Sequence, residues 1–182
     1  MRAATVFFDD FSADTAAFSK TTLTNWNVVQ GNVDVVNPGS FGCPSPGTKC
    51  VDLDGTGSPA PAIIETQAIF SFVTGEQYEL FFDIPALNTG LGNNNDAFRV
   101  TIGSYYSEDF TGYSAPLTVT RQFSIGSDGS APITFTLLDQ PNDAGPFLSG
   151  VSLTQVPVPA AIWLFGTGLL GLVGMARRKK AA

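Results

Sequence analysis

The sequence predicts an all-β protein, an antiparallel β-sandwich of jelly-roll type, followed by one C-terminal transmembrane helix. Three observations predict this fold. Hydrophobic and polar residues alternate with period two in several segments, clusters of turn-forming residues separate those segments, and an uncharged run of 17 residues precedes four consecutive cations. We therefore divide the chain into a β-sandwich domain, residues 1–155, and a C-terminal tail, residues 156–182.

The four longest predicted strands show the alternation most clearly. In each of them hydrophobic side chains recur at every second position, with Arg121 the one exception in residues 117–123, as expected of a strand that is buried on one face. These strands cover residues 78–84, 98–102, 117–123 and 133–137.

Shorter segments of the same kind complete the predicted sandwich. Gly, Asn and Asp separate them, because these residues adopt the backbone conformations that turns require. We expect most of the 15 phenylalanines to lie in the core. The shorter segments cover residues 5–8, 26–29, 33–36, 49–53, 63–72 and 148–153.

The charge of the chain excludes one class of partner. The sequence has 16 acidic and 9 basic residues, a net charge of −7, and four of the nine cations stand together in the tail. Residues 1–155 therefore hold 16 acidic and five basic residues, a net charge of −11. Nucleic-acid binding needs Lys and Arg to neutralise phosphates, so we expect no nucleic-acid partner.

Histidine is absent from the sequence. Its absence removes the Ser-His-Asp and Cys-His nucleophile arrangements and the usual zinc sites. Carboxylate or Ser/Lys chemistry remains, and a two-carboxylate glycoside hydrolase is one such enzyme, but no feature of the sequence singles out an acid–base pair. We therefore predict a protein that is not an enzyme. The carboxylates available to a hydrolase are Glu65, Glu76, Glu79, Glu108 and Asp109.

The two cysteines, Cys43 and Cys50, lie close together in the sequence. In an exported protein such a pair is predicted to form a disulfide that closes a tight turn. A reduced pair with a structural role is the alternative. Two cysteines alone are too few for a metal or iron–sulfur site.

The tail has three parts in a fixed order. A Pro-containing motif comes first, the uncharged residues 160–176 follow, and a basic cluster comes last. A transmembrane helix needs about 17 to 25 apolar residues, so this run is long enough to span. Trp163 suits one membrane interface, and the basic cluster predicts a cytoplasmic C-terminus. The motif is Val156, Pro157, Val158 and Pro159, and the cluster is Arg177, Arg178, Lys179 and Lys180.

The order of motif, apolar run and basic cluster resembles a PEP-CTERM sorting signal. The resemblance implies a partner, an exosortase, which is a membrane-embedded Cys peptidase of Gram-negative bacteria. This peptidase would cleave near the motif and release or re-anchor the domain. Val158 stands where the name-giving motif has Glu, so the resemblance does not fix the cleavage position. A tail anchor that is never cut, or a buried core helix, would be the alternatives.

A C-terminal sorting signal also requires earlier export. The residues after Met1 lead directly into an apparent strand, without a charged segment followed by an apolar one. We therefore expect that a signal peptide is missing from the sequence as printed.

Residues 5–155 resemble the exported choice-of-anchor domains, which are similar to galactose-binding-like jelly rolls. Members often have an Asp before the last strand, where this chain has Ser149 and Gly150, so a cation site that used that Asp would be weakened or absent. The segments that carry the resemblance are Phe8-Asp9-Asp10-Phe11-Ser12, residues 26–34, residues 50–55 and residues 145–153.

Four aromatic residues are candidates for contact with sugar rings, because a flat ring can pack against the apolar face of a sugar. They are Trp26, Tyr105, Tyr106 and Tyr113. The two adjacent tyrosines would point to opposite faces of an extended strand, so one of them at most serves a given platform. For Trp26 a place in the core is the favoured interpretation.

We expect no cofactor, and calcium is the candidate that the acidic residues suggest. Its oxygen ligands would come from Asp9, Asp10, Asp52, Asp54, Asn95 and Asp96. Asn and Asp are also preferred in turns for backbone reasons, and the EF-hand spacing is absent, so solvated turn residues are the favoured interpretation.

These features together predict a non-enzymatic exported protein. Its precursor would be anchored in the inner membrane, and the processed form would serve at the cell surface or in the extracellular matrix, where it would bind polysaccharide. Two alternatives stay open: a secreted carbohydrate-active hydrolase stabilised by calcium, and a structural matrix protein without a ligand.

Overall fold

A computed structural model describes residues 3–44, 47–85, 96–112, 116–143 and 145–157. These residues form strands, turns and loops, which confirms the predicted all-β sandwich for this part of the chain. Within them no helix is long and apolar enough to cross a membrane. The transmembrane helix predicted over residues 160–176 lies outside the described residues.

Fifteen strands are present among the described residues. Their bounds are β1 Ala4–Asp9, β2 Ala17–Lys20, β3 Trp26–Gln30, β4 Val33–Val36, β5 Cys50–Asp52, β6 Ile63–Thr66, β7 Phe70–Phe72, β8 Gln77–Ile84, β9 Phe98–Ile102, β10 Tyr106–Phe110, β11 Leu117–Ser124, β12 Gly129–Ala131, β13 Ile133–Leu137, β14 Phe147–Leu148 and β15 Gly150–Val156.

The strands form four antiparallel sheets. Sheet 1 has the order β1-β15-β8-β11, and sheet 2 has the order β10-β9-β13-β6-β3. Sheet 3 has the order β14-β5-β4-β2. Strands β7 and β12 form a two-stranded sheet, which we call the capping ribbon.

The core lies between sheets 1 and 2 and is largely aromatic. In β8 every second residue is buried, as the alternation predicts. The ring of Phe82 in β8 lies 5.3 Å from Phe135 and 6.0 Å from Phe98, both in sheet 2, in edge-to-face arrangements. Burial of each such side chain contributes about 1.5–3 kcal/mol, so the inward faces of the two sheets hold the sandwich together.

The capping ribbon closes one end of this core. Phe70 and Phe72 of β7 point inward, whereas Ser71 between them is exposed. Phe70 contacts Phe7 of β1, and Phe72 contacts Tyr78 of β8. The ribbon therefore packs along sheet 1 from β1 to β8.

The predicted strands differ from the observed ones at identifiable places. Residues 63–72 form two strands, because the chain leaves sheet 2 after Thr66 and enters the capping ribbon at Phe70. Residues 148–153 divide at Ser149, where the chain passes from sheet 3 to sheet 1. Three short strands were not predicted from the pattern, namely β2, β10 and β12.

The two ends of the sandwich differ. At the exit end β15 finishes at Val156, beside Gln77 at the start of β8. At the loop end β8 finishes at Ile84, beside Leu117 at the start of β11. The segment that carries the cysteines lies at the loop end, since Gly42 borders the same groove as Ile84.

Candidate functional site

Residues 37–44, which we call the disulfide segment, form a compact turn at the loop end. Cys43 and Cys50 form a disulfide, which confirms the predicted bond. The amide of Gly39 donates to the carbonyl of Cys43 at 2.9 Å, and the amide of Cys43 donates to the carbonyl of Ser40 at 2.9 Å. These bonds fix the segment against sheet 3, because Cys50 is the first residue of β5.

Phe41 stands exposed at the tip of this segment. Its side chain is 43% exposed, and its φ of 51° lies in the left-handed region, which bulky residues rarely adopt. The disulfide and the turn hydrogen bonds hold the residue in this conformation. Strain of this kind occurs preferentially at functional sites.

Phe18 in β2 faces Phe41 and is also exposed, at 57%. The next residue, Ser19, has a φ of 53°, and the pairing of β2 with β4 is irregular at this point. A bulge of this kind redirects side chains, and it turns Phe18 away from the core. The amide of Ser19 donates to Asp34 Oδ1 at 2.7 Å, which holds the bulge in place.

The two phenyl rings border a cleft of about 210 Å³. Their centroids lie 6.0 Å apart and their planes are inclined by 77°. Asn37 and Ser40 add polar groups to the same cleft. The cleft therefore combines apolar ring faces with hydrogen-bonding side chains, which is the composition of a small-ligand site.

A second groove, of about 350 Å³, lies on the other side of the disulfide segment. Gly42 and Pro44 form one wall, and Asp83, Thr118 and Ser149 supply polar groups. The disulfide segment thus borders both cavities.

The aromatic residues predicted to contact sugars are placed differently. Trp26 is completely buried, and its Nε1–H donates to Asp9 Oδ2 at 2.8 Å. The suggestion that Trp26 forms a sugar platform is therefore wrong, because its indole packs between the sheets. Tyr105 is half-buried, and its ring lies 4.7 Å from that of Phe72 at the exit end.

Tyr106 takes part in a polar link between the two main sheets. Its hydroxyl donates to Glu108 Oε2 at 2.6 Å, and Arg121 of sheet 1 donates to both oxygens of the same carboxylate. Burial and the bond to Glu108 raise the pKa of Tyr106 above its ordinary value. Its ring is half-buried against Phe123, so Tyr106 joins the sheet edges. Tyr113 lies outside the described residues.

The structure gives hydrogen-bond partners within the fold to the described residues proposed as calcium ligands. Asp9 Oδ1 accepts from the amide of Phe11 and Asp10 Oδ1 accepts from the amide of Ser12, so both carboxylates serve local turns. Asp52 Oδ1 accepts from the amide of Asp54 at 2.9 Å. Asn95 lies outside the described residues. Among the residues that the structure describes, no group of three or more acidic or Cys side chains is arranged to hold a metal ion.

Asp52, Asp54 and Asp96 nevertheless form an acidic region at the loop end. Burial raises the pKa of Asp52 well above its ordinary value, and the charges of Asp34 and Asp54 add to the effect. Burial likewise raises the pKa of Asp96 to about 6. The side chain of Asn142 donates to Asp96 Oδ2 at 3.1 Å.

These raised pKa values predict that mild acid stabilises the fold. A carboxyl with a raised pKa binds more protons in the folded state than in the unfolded state between about pH 4 and its folded value. Stability should therefore fall as the pH rises through about 6, the pKa of Asp96. We expect a higher Tm at pH 5 than at pH 7 by calorimetry in the presence of a chelator. The dependence should be weaker in Asp96→Asn, and identical profiles for both proteins would contradict the assignment.

The carboxylates considered for hydrolysis do not form an acid–base pair. Glu108 and Asp109 are bound to Arg121 and Arg99, and these bonds lower the pKa values of both carboxyls. A general acid in a glycoside hydrolase needs the opposite shift. Of the remaining candidates, Glu79 accepts from Gln122 and Glu76 accepts from Gln155, and Glu65 pairs with Thr134 in sheet 2.

Phe18 and Phe41 are the site residues that the sequence did not reveal. Phe18 does not belong to an alternating pattern, and its exposure depends on the bulge at Ser19. Phe41 did carry a signal, because a large aromatic residue stands there among turn-forming residues, directly before Gly42 and Cys43. Such a residue is expected at the surface rather than in the core.

The disulfide is expected to stabilise the domain measurably. Replacing both Cys43 and Cys50 with Ser should lower the free energy of unfolding by about 2–3 kcal/mol, since the bond restricts the unfolded chain over a short loop. Urea unfolding of the two proteins would measure the difference. Wild-type protein treated with a reductant should show the same loss, and equal stability of all three samples would contradict the prediction.

Comparison with known families confirms the resemblance of the tail. Residues 155–179 match the family described as the PEP-CTERM protein-sorting motif. The match includes the Pro-containing motif, the uncharged run and three of the four cations. The comparison with curated proteins finds no significant match.

The solved structures to which this chain is similar include carbohydrate-binding modules. The C-terminal CBM6 of LamC from Zobellia galactanivorans is 11% identical, with 70% of this chain and 92% of that chain covered and a TM-score of 0.41. TmCBM61, solved with β-1,4-galactotriose, is 14% identical, with 72% and 88% covered and a TM-score of 0.45. The xylan-binding CBM22-1 of Xyn10C from Paenibacillus barcinonensis is 12% identical, with 86% and 97% covered and a TM-score of 0.41. Likenesses this remote carry no inference about what this chain binds.

Proposed function

We propose that this chain, whose residues 155–179 carry the PEP-CTERM protein-sorting motif, is a non-enzymatic exported protein of a Gram-negative bacterium. An exosortase would process its inner-membrane-anchored precursor. The mature domain would serve at the cell surface or in the extracellular matrix, where its cleft binds glycans. The sorting motif is the single observation that carries the proposal of export.

The position of the motif in the fold supports processing at the tail. Strand β15 lies between β1 and β8, and its last residue, Val156, pairs with Gln77. A peptidase needs an extended and accessible segment, whereas Val156 is held within a sheet. We therefore expect cleavage after Val156, which would leave the sandwich complete.

The cleft beside the disulfide segment supports glycan binding. Phe18 and Phe41 expose apolar ring faces next to the polar side chains of Asn37 and Ser40. A sugar presents the matching combination of an apolar ring face and a rim of hydroxyl groups. Residues 1–155 have a net charge of −11, so the domain would bind neutral glycans in preference to anionic ones.

Alanine at either ring should weaken glycan binding. Affinity electrophoresis against a panel of neutral and acidic polysaccharides would identify a ligand, and titration calorimetry with its oligosaccharide would give the affinity. We expect Phe18→Ala and Phe41→Ala each to lower the affinity about tenfold, because each removes one aromatic contact.

Phe8→Ala is the matched control for these variants. Phe8 is 62% exposed, but it lies on β1 and not at the cleft, so its replacement should leave the affinity unchanged. Equal losses in all three variants, or no binding to any polysaccharide, would contradict a glycan site here.

Release of reducing ends from a bound polysaccharide would instead indicate a hydrolase. A calcium-dependent rise in Tm would indicate that calcium is a cofactor.

A further inference from the structure

The capping ribbon presents an apolar outer surface. Ile69 is 66% exposed and Val73 is 53% exposed, whereas Phe70 and Phe72 between them are buried. This alternation means that Ser71 in β7, and Ile69 and Val73 directly before and after this strand, point away from the core. Two aliphatic side chains are thus displayed together at the end of the sandwich.

This surface lies at the end where the chain leaves the domain. The amide of Glu76 donates to the carbonyl of Val73 in a turn that leads into β8. Gln77, the first residue of β8, pairs with Val156, the last residue of β15. The hydroxyl of Tyr78 donates to the carbonyl of Ser71 at 3.4 Å, which ties the ribbon to the same end.

The strand that leads to the tail is firmly held. Gln155 pairs with Ala4 on one side and with Tyr78 on the other, and its side chain donates to Glu76 Oε2 at 2.8 Å. The sequence then has only three residues between Val156 and the uncharged run that begins at Ala160. A fully extended chain reaches about 14 Å over that distance. An inserted tail therefore brings the exit end to the membrane surface.

The charges near this surface indicate which lipids it suits. Asp128 lies beside it, where its Oδ1 accepts from the amide and hydroxyl of Thr74. Glu76 adds a second carboxylate at the same end. Carboxylates are repelled by anionic headgroups, so contact would depend on the aliphatic side chains and would suit a neutral lipid surface.

We propose that in the membrane-anchored precursor the outer face of the capping ribbon rests on the lipid surface, with Ile69 and Val73 inserted at the boundary between headgroups and acyl chains. The inference rests on the proposed insertion of the tail. The exit end of the domain then contacts the membrane, and the cleft between Phe18 and Phe41 at the loop end faces away from it. After cleavage the ribbon alone does not hold the domain, because two aliphatic side chains provide a small contact.

Quenching of tryptophan fluorescence by brominated lipid tests this contact. Full-length protein with Trp163→Phe is reconstituted into phosphatidylcholine vesicles, and Ile69→Trp or Val73→Trp is added in separate variants. Both positions are exposed, so these substitutions leave the core unchanged. Brominated phosphatidylcholine should quench the new tryptophan severalfold more strongly than it quenches Trp26, which is completely buried.

Phe41→Trp in the same background is the control, because Phe41 lies at the loop end. Quenching of position 41 equal to that of positions 69 and 73 would overturn the proposed orientation. Flotation of the vesicles tests the insertion of the tail separately from the contact of the ribbon with lipid. Protein that floats without quenching at positions 69 and 73 overturns the contact alone, and protein that does not float overturns both the inserted tail and the contact.

Discussion

Replacing Trp26 with alanine should remove most of the stability of the domain. The indole is completely buried and lies 5.7 Å from the ring of Phe7 and 5.8 Å from that of Phe135, so it joins β1 to the core of sheet 2. Truncation of a buried Trp costs about 3–5 kcal/mol. It also removes the donor to Asp9 Oδ2, an oxygen in a buried carboxylate. Since domains are stable by about 5–15 kcal/mol, we expect a large fall in the urea midpoint of unfolding, followed by circular dichroism.

Trp26→Phe separates packing from hydrogen bonding. This variant keeps an aromatic ring but loses the Nε1–H that Asp9 accepts, so it should lose about 1–3 kcal/mol. In an Asp9→Ala background the same change should cost less, because the carboxylate that needs the donor is absent. Equal costs in both backgrounds would show that the bond between Trp26 and Asp9 contributes nothing, and a stable Trp26→Ala protein would contradict its role in the core.

A charge in the middle of the uncharged run should abolish membrane association. Leu169 lies near the centre of residues 160–176, where an arginine costs about 2.5–3.5 kcal/mol on insertion scales. Leu169→Arg should therefore reduce the constant for partition into the membrane on the order of 100-fold, as measured by flotation at several vesicle concentrations. The Tm of the sandwich should not change, because the strands end at Val156.

Leu169→Val is the matched control for this change, since it alters the same residue without adding a charge. We expect it to float like the wild-type protein. If Leu169→Arg also floats, the run does not insert. If both variants lower the Tm of the domain, residues 160–176 belong to its core, which is the buried-helix alternative.

The sequence predicts the sandwich well where burial alone decides the structure. In β8, β9 and β13 the alternation of hydrophobic residues agrees with the observed burial, because each of these strands packs one face on the core. The edge strand β10 was not predicted, because its central residues are polar and show no hydrophobic alternation. These residues pair with β9, and Asp109 forms an ion pair with Arg99. The ribbon strand β12 contains a Gly and a Ser and offers no hydrophobic pattern.

The sequence did not predict the two aromatic residues of the candidate site, Phe18 and Phe41. The side chain of Phe18 points outward because Ser19 adopts a left-handed conformation that Asp34 supports, and this contact joins residues 15 positions apart. The disulfide was predictable because two cysteines at short spacing have few other roles in an exported protein. That this disulfide supports Phe41 beside a cleft depended on three-dimensional contacts.

The intact mass of the protein from native cells and medium tests the proposed sorting most directly. Sorting predicts a product outside the inner membrane whose chain ends within the motif of Val156, Pro157, Val158 and Pro159. The disulfide between Cys43 and Cys50 makes this product about 2 Da lighter than the form with free thiols. An intact C-terminus retained in the inner membrane would contradict the account and would indicate an ordinary tail anchor.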